Sequence, residues 1–213
     1  MKHSRRGYTL VEIAIVLALL GIVMAAAVTV ARQGEKNFDQ TIANTVANTK
    51  ANRALNTIAR KIAGAGRDTL TPNVVAPFST EDLVFQTVSG WNGARTWNEE
   101  VQIFLQADPA DPDNGLDDDG DGFVDECEVV LVENRGTANE TRTVLVRRVQ
   151  ELLQGELPNG ADDNGNGLVD EPGFCIERIS DGAGVTIRLT VLRRRPEGGI
   201  DTQTVGTTVW LRN

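Results

Sequence analysis

The sequence predicts an α+β protein, with a long N-terminal helix packed on the antiparallel β-sheet of a globular head. Three observations lead there. An apolar run covers Ile13 to Val30, broken only by Gly21 and Thr29. No proline follows until Pro72, and apolar residues recur at helical spacing within that interval. Beyond Pro72 the pattern changes to short β-branched segments parted by polar turns.

The first element is the apolar run. At about 1.5 Å per residue it crosses most of a bilayer core of roughly 30 Å. Lys2, Arg5 and Arg6 lie before it, so the positive-inside rule puts Met1 in the cytoplasm and the rest of the chain outside. An ordinary secretory signal, ending near Thr29-Val30-Ala31, and a plain membrane anchor both fit this much. Neither explains Glu12. A carboxylate carried to the bilayer centre costs roughly 2.5–3.5 kcal/mol, and it is expected to have no partner within its own helix.

The segment Gly7-Tyr8-Thr9-Leu10-Val11-Glu12 and the apolar residues after it resemble the N-terminus of type IV pilins and pseudopilins. In that family a short basic leader ends in Gly. An aromatic residue, usually Phe, opens the mature chain, and Glu stands at mature position five. The resemblance implies cleavage between Gly7 and Tyr8 by prepilin peptidase and methylation of the new amine. It also implies that Glu12 pairs with the N-terminal ammonium of a neighbouring subunit, which would offset the burial of its charge. On this reading residues 1–7 are a leader. Residues 8–31 are the membrane-spanning or filament-core half of the helix, and 32–66 its amphipathic half. Residues 67–213 form the β-rich head of a pilin-like fold. The protein would sit in the inner membrane with its head in the periplasm, then enter a pilus or pseudopilus.

Within Gln33–Arg67, the residues Ile42, Val46, Leu55, Ile58, Ala59 and Ile62 fall at three- and four-residue spacing, as on an amphipathic helix. Gly64 and Gly66 supply the stop. One helix from Thr9 to Ala63 would be about 80 Å long. The alternative is two helices meeting near Gly34. In the head, strands are expected at Asp82–Val88, Glu100–Leu105, Glu128–Val132, Thr143–Val149, Gly184–Leu192 and Thr204–Leu211. Trp91, Trp97 and Trp210 are expected in the core.

Two acidic segments interrupt these strands, within 113–128 and 158–173. The first runs from Asp117 to Glu128 and fits the EF-hand calcium loop, with Asp117, Asp119 and Asp121 at alternate positions, Gly122 at six and Glu128 at twelve. Asp125, Glu126 and the backbone carbonyl of Phe123 are further candidate ligands. A hard cation takes about six to eight oxygens, and alternate side chains of a tight loop converge on one point. The second segment repeats the first through Asp162, Asn164, Asn166, Leu168, Asp170 and Glu171, but carries Gly173 at position twelve. Either this site is weaker, or Glu at position ten closes both loops. The shared pairs Asp125-Glu126 and Asp170-Glu171 favour the latter. The neutral Asn164 and Asn166 predict weaker binding at the second site. No flanking helices are expected, so Ca²⁺ would stabilise rather than signal. Solvated acidic turns are the competing reading.

Composition excludes other classes. The net charge of -9 argues against a nucleic-acid partner. The only histidine, His3, lies in the leader, and Cys127 and Cys175 form no zinc pattern. No nucleophile–base pair is evident, so an enzyme is not expected. In an exported chain the two cysteines would form one disulfide joining the loops, or remain buried thiols.

Beyond the signal, Arg53-Ala54-Leu55 through Arg67, Leu83-Val84-Phe85, Leu145-Val146-Arg147-Arg148 and the ending Val209 to Asn213 resemble J-type minor pseudopilins of type II secretion and W-type minor pilins. Against that plan the acidic repeats are an insertion. The resemblance implies a minor subunit at a filament tip, with other subunits as partners. A membrane-anchored, calcium-dependent binding or adhesion domain is the alternative.

Overall fold

The computed structural model describes residues 9–179, 182–195 and 198–211; Gly7 and Tyr8 lie outside them. One helix, α1 (Leu10–Ala63), is continuous through Gly34, so the two-helix alternative is not realised. Its start is a capping box. The Glu12 amide donates to Thr9 Oγ1 at 3.2 Å, and Glu12 Oε2 accepts from the Thr9 amide at 2.8 Å and its hydroxyl at 3.0 Å. This corrects the expectation that Glu12 has no partner within the helix. Both partners are neutral, so the charge itself remains.

The chain divides into two compact units, 1–42 and 43–213. In the first, the described residues are exposed along the whole apolar run. In the second, α1 buries Ala51, Ala54, Leu55, Ile58 and Ile62, one stripe at three- and four-residue spacing. Ile42 and Val46, expected on that stripe, are exposed. The small alanines Ala51 and Ala54 begin the buried face instead. Lys61 Nζ pairs with Glu133 at the end of the helix. Beyond it, Gly66 lies under the Trp97 indole, where a Cβ would come within 2.2 Å of the ring.

The sheet comprises β1 (Asp82–Phe85), β4 (Val101–Ala107), β5 (Cys127–Glu133), β6 (Thr141–Val149), β7 (Phe174–Arg178), β8 (Gly184–Arg194) and β9 (Ile200–Trp210). A separate hairpin joins β2 (Val88–Trp91) to β3 (Arg95–Trp97). Every named pairing is antiparallel. The path runs β1-β4-β5-β6-β8-β7, with β9 added on β8. All six expected strands form. The hairpin and β7 are additional. Trp91 and Trp210 are exposed rather than buried, and Trp97 is half-buried against Gly66.

The expected Cys127–Cys175 disulfide is not formed; both are free, buried thiols. The cause is the two-residue period of a strand. Phe174 and Ile176 point into the main core, which also holds Cys127. Cys175, between them, points to the opposite face and packs with Leu153 and Leu168. Register separates the pair further. Cys127 lies opposite Val149, which meets Val191, whereas Cys175 lies opposite Arg188. Thiols on opposite faces of a sheet do not meet the geometry of a disulfide.

Candidate functional site

The two acidic segments occupy equivalent kinds of place: one links β4 to β5, the other β6 to β7. Their backbones repeat. Gly115, Gly120, Gly122 and Asp125 have φ of 80°, 74°, 86° and 53°, and Gly160, Gly165, Gly167 and Asp170 have 76°, 74°, 90° and 46°. These left-handed angles explain the glycines.

The hydrogen bonds repeat as well. Asp117 accepts from the amides of Gly120 and Gly122 at 2.7 and 2.9 Å, and Asp162 accepts from Gly165 and Gly167 at 2.7 and 2.8 Å. Asp119 Oδ1 accepts from the Asp121 amide and Asn164 Oδ1 from the Asn166 amide. Asp121 Oδ1 caps Phe123, and Asn166 Oδ1 caps Leu168. The side chains of Phe123 and Leu168 are buried and anchor each loop to the head.

In the first loop, carboxylate oxygens of Asp117, Asp119 and Asp121 lie within 4.8 Å of one another. Such like charges repel unless a cation lies among them. Arg148 supplies one positive group: its Nε donates to Asp121 Oδ2 at 2.7 Å, and its guanidinium lies 5.0 Å from the Phe123 ring centroid. Arg194 lies over Gly122, where a Cβ would come 1.9 Å from its Nη2. In the second loop the side-chain Nδ2 of Asn166 donates to Glu171 Oε1 instead.

The position-ten glutamates are the deepest acids of the loops. Glu126 is 1 % exposed and Glu171 0 %. Each Oε2 has no hydrogen-bond partner among the described residues. Burial, and then the carboxyl of Asp111, pushes Glu126 up to about 7. Glu128, also buried, accepts from Gln106 Nε2 at 2.8 Å and lies 3.3 Å from Arg147 Nε, and its Oε2 likewise has no hydrogen-bond partner among the described residues. Asp125 and Asp170 also do other work. Their carboxylates accept the amides of Asn114 with Gly115 and of Asn159 with Gly160, which closes the entry of each loop.

Gly173, the departure at position twelve, has a steric reason. The segment after β6 crosses it, with the Gly173 amide donating to the Glu151 carbonyl at 2.7 Å. A Cβ there would lie 1.7 Å from the Gln150 carbonyl oxygen.

Two further acids were not singled out from the sequence. Asp111 and Glu156 stand six residues before Asp117 and Asp162, outside the twelve-residue pattern. Both are buried. Extending the repeat upstream past Asn114-Gly115 and Asn159-Gly160 would have found them. The donor set as a whole is oxygen only and partly buried, and Glu126 Oε2 and Glu171 Oε2 lack hydrogen-bond partners among the described residues. That fits a hard cation such as Ca²⁺ and does not fit zinc.

Residues 2–28 match the family model of the prokaryotic N-terminal methylation motif. No curated protein and no solved structure matched the chain.

Proposed function

Because the chain carries the N-terminal methylation motif of type IV pilin-like proteins, we propose that it is a minor filament subunit whose head is stabilised by two calcium ions. The observation that carries the first part is the motif together with its setting. It opens a single helix whose apolar run is long enough to cross a membrane and whose first turn holds Glu12. In this reading prepilin peptidase cuts after Gly7 and the new amine on Tyr8 is methylated. The helix then leaves the inner membrane for a filament of like subunits, in a pilus or a type II secretion pseudopilus. Glu12 holds its carboxylate at the helix start by two bonds to Thr9. It is therefore oriented to receive the ammonium of a neighbour, which would supply the positive charge that Thr9 cannot. The protein works by assembly, with no catalytic step.

Calcium is supported by the repeated loop geometry and by the unpartnered buried oxygens of Glu126 and Glu171. In the first loop Asp117, Asp119, Asp121 and Glu126 would hold the ion, with the carbonyl of Phe123. In the second, Asp162, Asn164, Asn166 and Glu171 would do so, with the carbonyl of Leu168. The ions would neutralise carboxylates that otherwise repel within each loop.

The filament reading is tested by shearing filaments from cells that express the protein. Wild type is expected in the sheared fraction, and Glu12→Ala is expected to remain in the membrane. Wild type confined to the membrane, with Glu12→Ala behaving identically, would favour an anchored calcium-dependent binding domain instead.

A further inference from the structure

We propose that Asp111 and Glu156 are ligand carboxylates of the two metal sites, so that each ion is closed from the protein interior by a buried pair of acids. The pairs are Asp111 with Glu126 and Glu156 with Glu171. This rests on the calcium reading of the loops and extends each site beyond the loop itself.

Asp111 is 0 % exposed and Glu156 6 %. Each holds its own loop with one oxygen: the Asp118 amide donates to Asp111 Oδ1 at 2.7 Å, and the Asn164 amide to Glu156 Oε1 at 2.9 Å. The longer glutamate reaches one residue further along its loop. The remaining oxygens, Asp111 Oδ2 and Glu156 Oε2, have no hydrogen-bond partner among the described residues. With Glu126 Oε2 and Glu171 Oε2, two buried acceptors per loop therefore lack a donor.

Each pair is linked through common hydrogen-bonding groups. The turn that carries Asp111 is tied to Glu126 through the backbone: the Asp108 amide donates to the Glu126 carbonyl at 2.9 Å, and the Asp111 amide to the Asp108 carbonyl at 2.9 Å. Glu156 and Glu171 both accept from Asn164, through its backbone amide and its Nδ2. Burying one unpaired carboxylate is costly, and burying a second in the same loop adds their repulsion. A shared proton would also partner both members of a pair but discharges one of them, whereas a divalent cation partners both while each stays ionised. Two of the nearby arginines are engaged with other acids, Arg148 with Asp121 and Arg147 with Asp108 and Glu128. A staple for the loop backbone needs only one oxygen and leaves the second unexplained. The same unexplained oxygen occurs at the same offset in both loops.

Charge separates the two sites. Asn164 and Asn166 are neutral, so Glu156 supplies a larger share of the negative charge in the second loop than Asp111 does in the first.

The test is a calorimetric calcium titration of the full chain in detergent, comparing wild type with Asp111→Asn, Glu156→Gln and the control Glu99→Gln, an exposed acid outside both loops. Wild type is expected to bind two ions. Each of the first two variants is expected to lose about 10–100-fold affinity at its own loop, Glu156→Gln the more, and the control to match wild type. Thermal melting gives a second readout. In EDTA both variants should melt no lower than wild type, because repulsion is relieved, and in calcium they should melt lower. Equal losses in EDTA and calcium, with calcium affinity unchanged, would leave these acids as backbone staples and overturn the proposal. Should a variant not fold, Asp111→Glu and Glu156→Asp keep the charge but move it. Weakened binding is then expected, and wild-type affinity would overturn the proposal. A wild type that binds no calcium refutes the calcium reading itself.

Discussion

Restoring the EF-hand glutamate at position twelve of the second loop, by Gly173→Glu, separates loop pattern from structure. Pattern alone predicts a tighter calcium site, since the first loop carries Glu128 there. The structure predicts damage. Any Cβ at residue 173 would stand 1.7 Å from the Gln150 carbonyl oxygen, a backbone atom that does not swing aside. Relief requires the strand-like segment around Gln150 to move by about 1 Å or more, an overpacking cost of about 1–3 kcal/mol. That movement pulls on the Gly173–Glu151 bond and on the Thr190 amide bond to the Gly173 carbonyl, each 2.7 Å long. Each is worth about 1 kcal/mol. The expected loss is thus about 3–5 kcal/mol, a large part of the roughly 5–15 kcal/mol that holds a domain folded. Urea unfolding in saturating calcium, followed by tryptophan fluorescence, measures it. Gly173→Ala should show most of the loss, because the clash is at Cβ. Both variants within about 0.5 kcal/mol of wild type would refute the steric reasoning. So would tighter calcium binding by Gly173→Glu.

Two other outcomes follow from the same geometry. Ile58 is fully buried between α1 and the sheet, so Ile58→Ala should destabilise the head by about 2–5 kcal/mol in urea, and Ile58→Val by much less. In EDTA, Glu126 binds a proton more tightly in the folded than in the unfolded chain, with its pKa raised from 4.5 to about 7. The folded state then holds more protons than the unfolded state between those pH values. Stability of the metal-free protein should therefore fall as pH rises across that window, and Glu126→Gln should flatten the slope. A slope of the opposite sign in urea melts would contradict the burial assigned to Glu126.

The helix and six strands were legible because their periodicities are long and their ends are marked by glycine or polar turns. The β2–β3 hairpin was not, since Val88-Ser89-Gly90-Trp91 is exposed and carries no alternating face. Strand β7 was hidden by its place directly behind the second acidic loop. The loop residues were readable as a repeat, yet their division of labour was not. Glu126 and Glu128 are both buried, and only the start of β5 at Cys127 parts a loop acid from a sheet acid. Asp111 and Glu156 lie outside any twelve-residue pattern and are found only by aligning the two repeats further upstream. The disulfide expectation failed on parity: the face that Cys175 occupies is settled by the register of β7 on β8, which no spacing reveals. The Thr9–Glu12 capping box carries a Thr-x-x-Glu signature, which reading Glu12 only as a membrane charge leaves out.

The central claim, that the chain is processed as a pilin-like subunit, is tested most directly by the intact mass of the protein purified from membranes of cells that make prepilin peptidase. The account predicts a chain lacking Met1 to Gly7 and carrying one methyl group on Tyr8. A full-length chain, or one cut near Ala31, would contradict it.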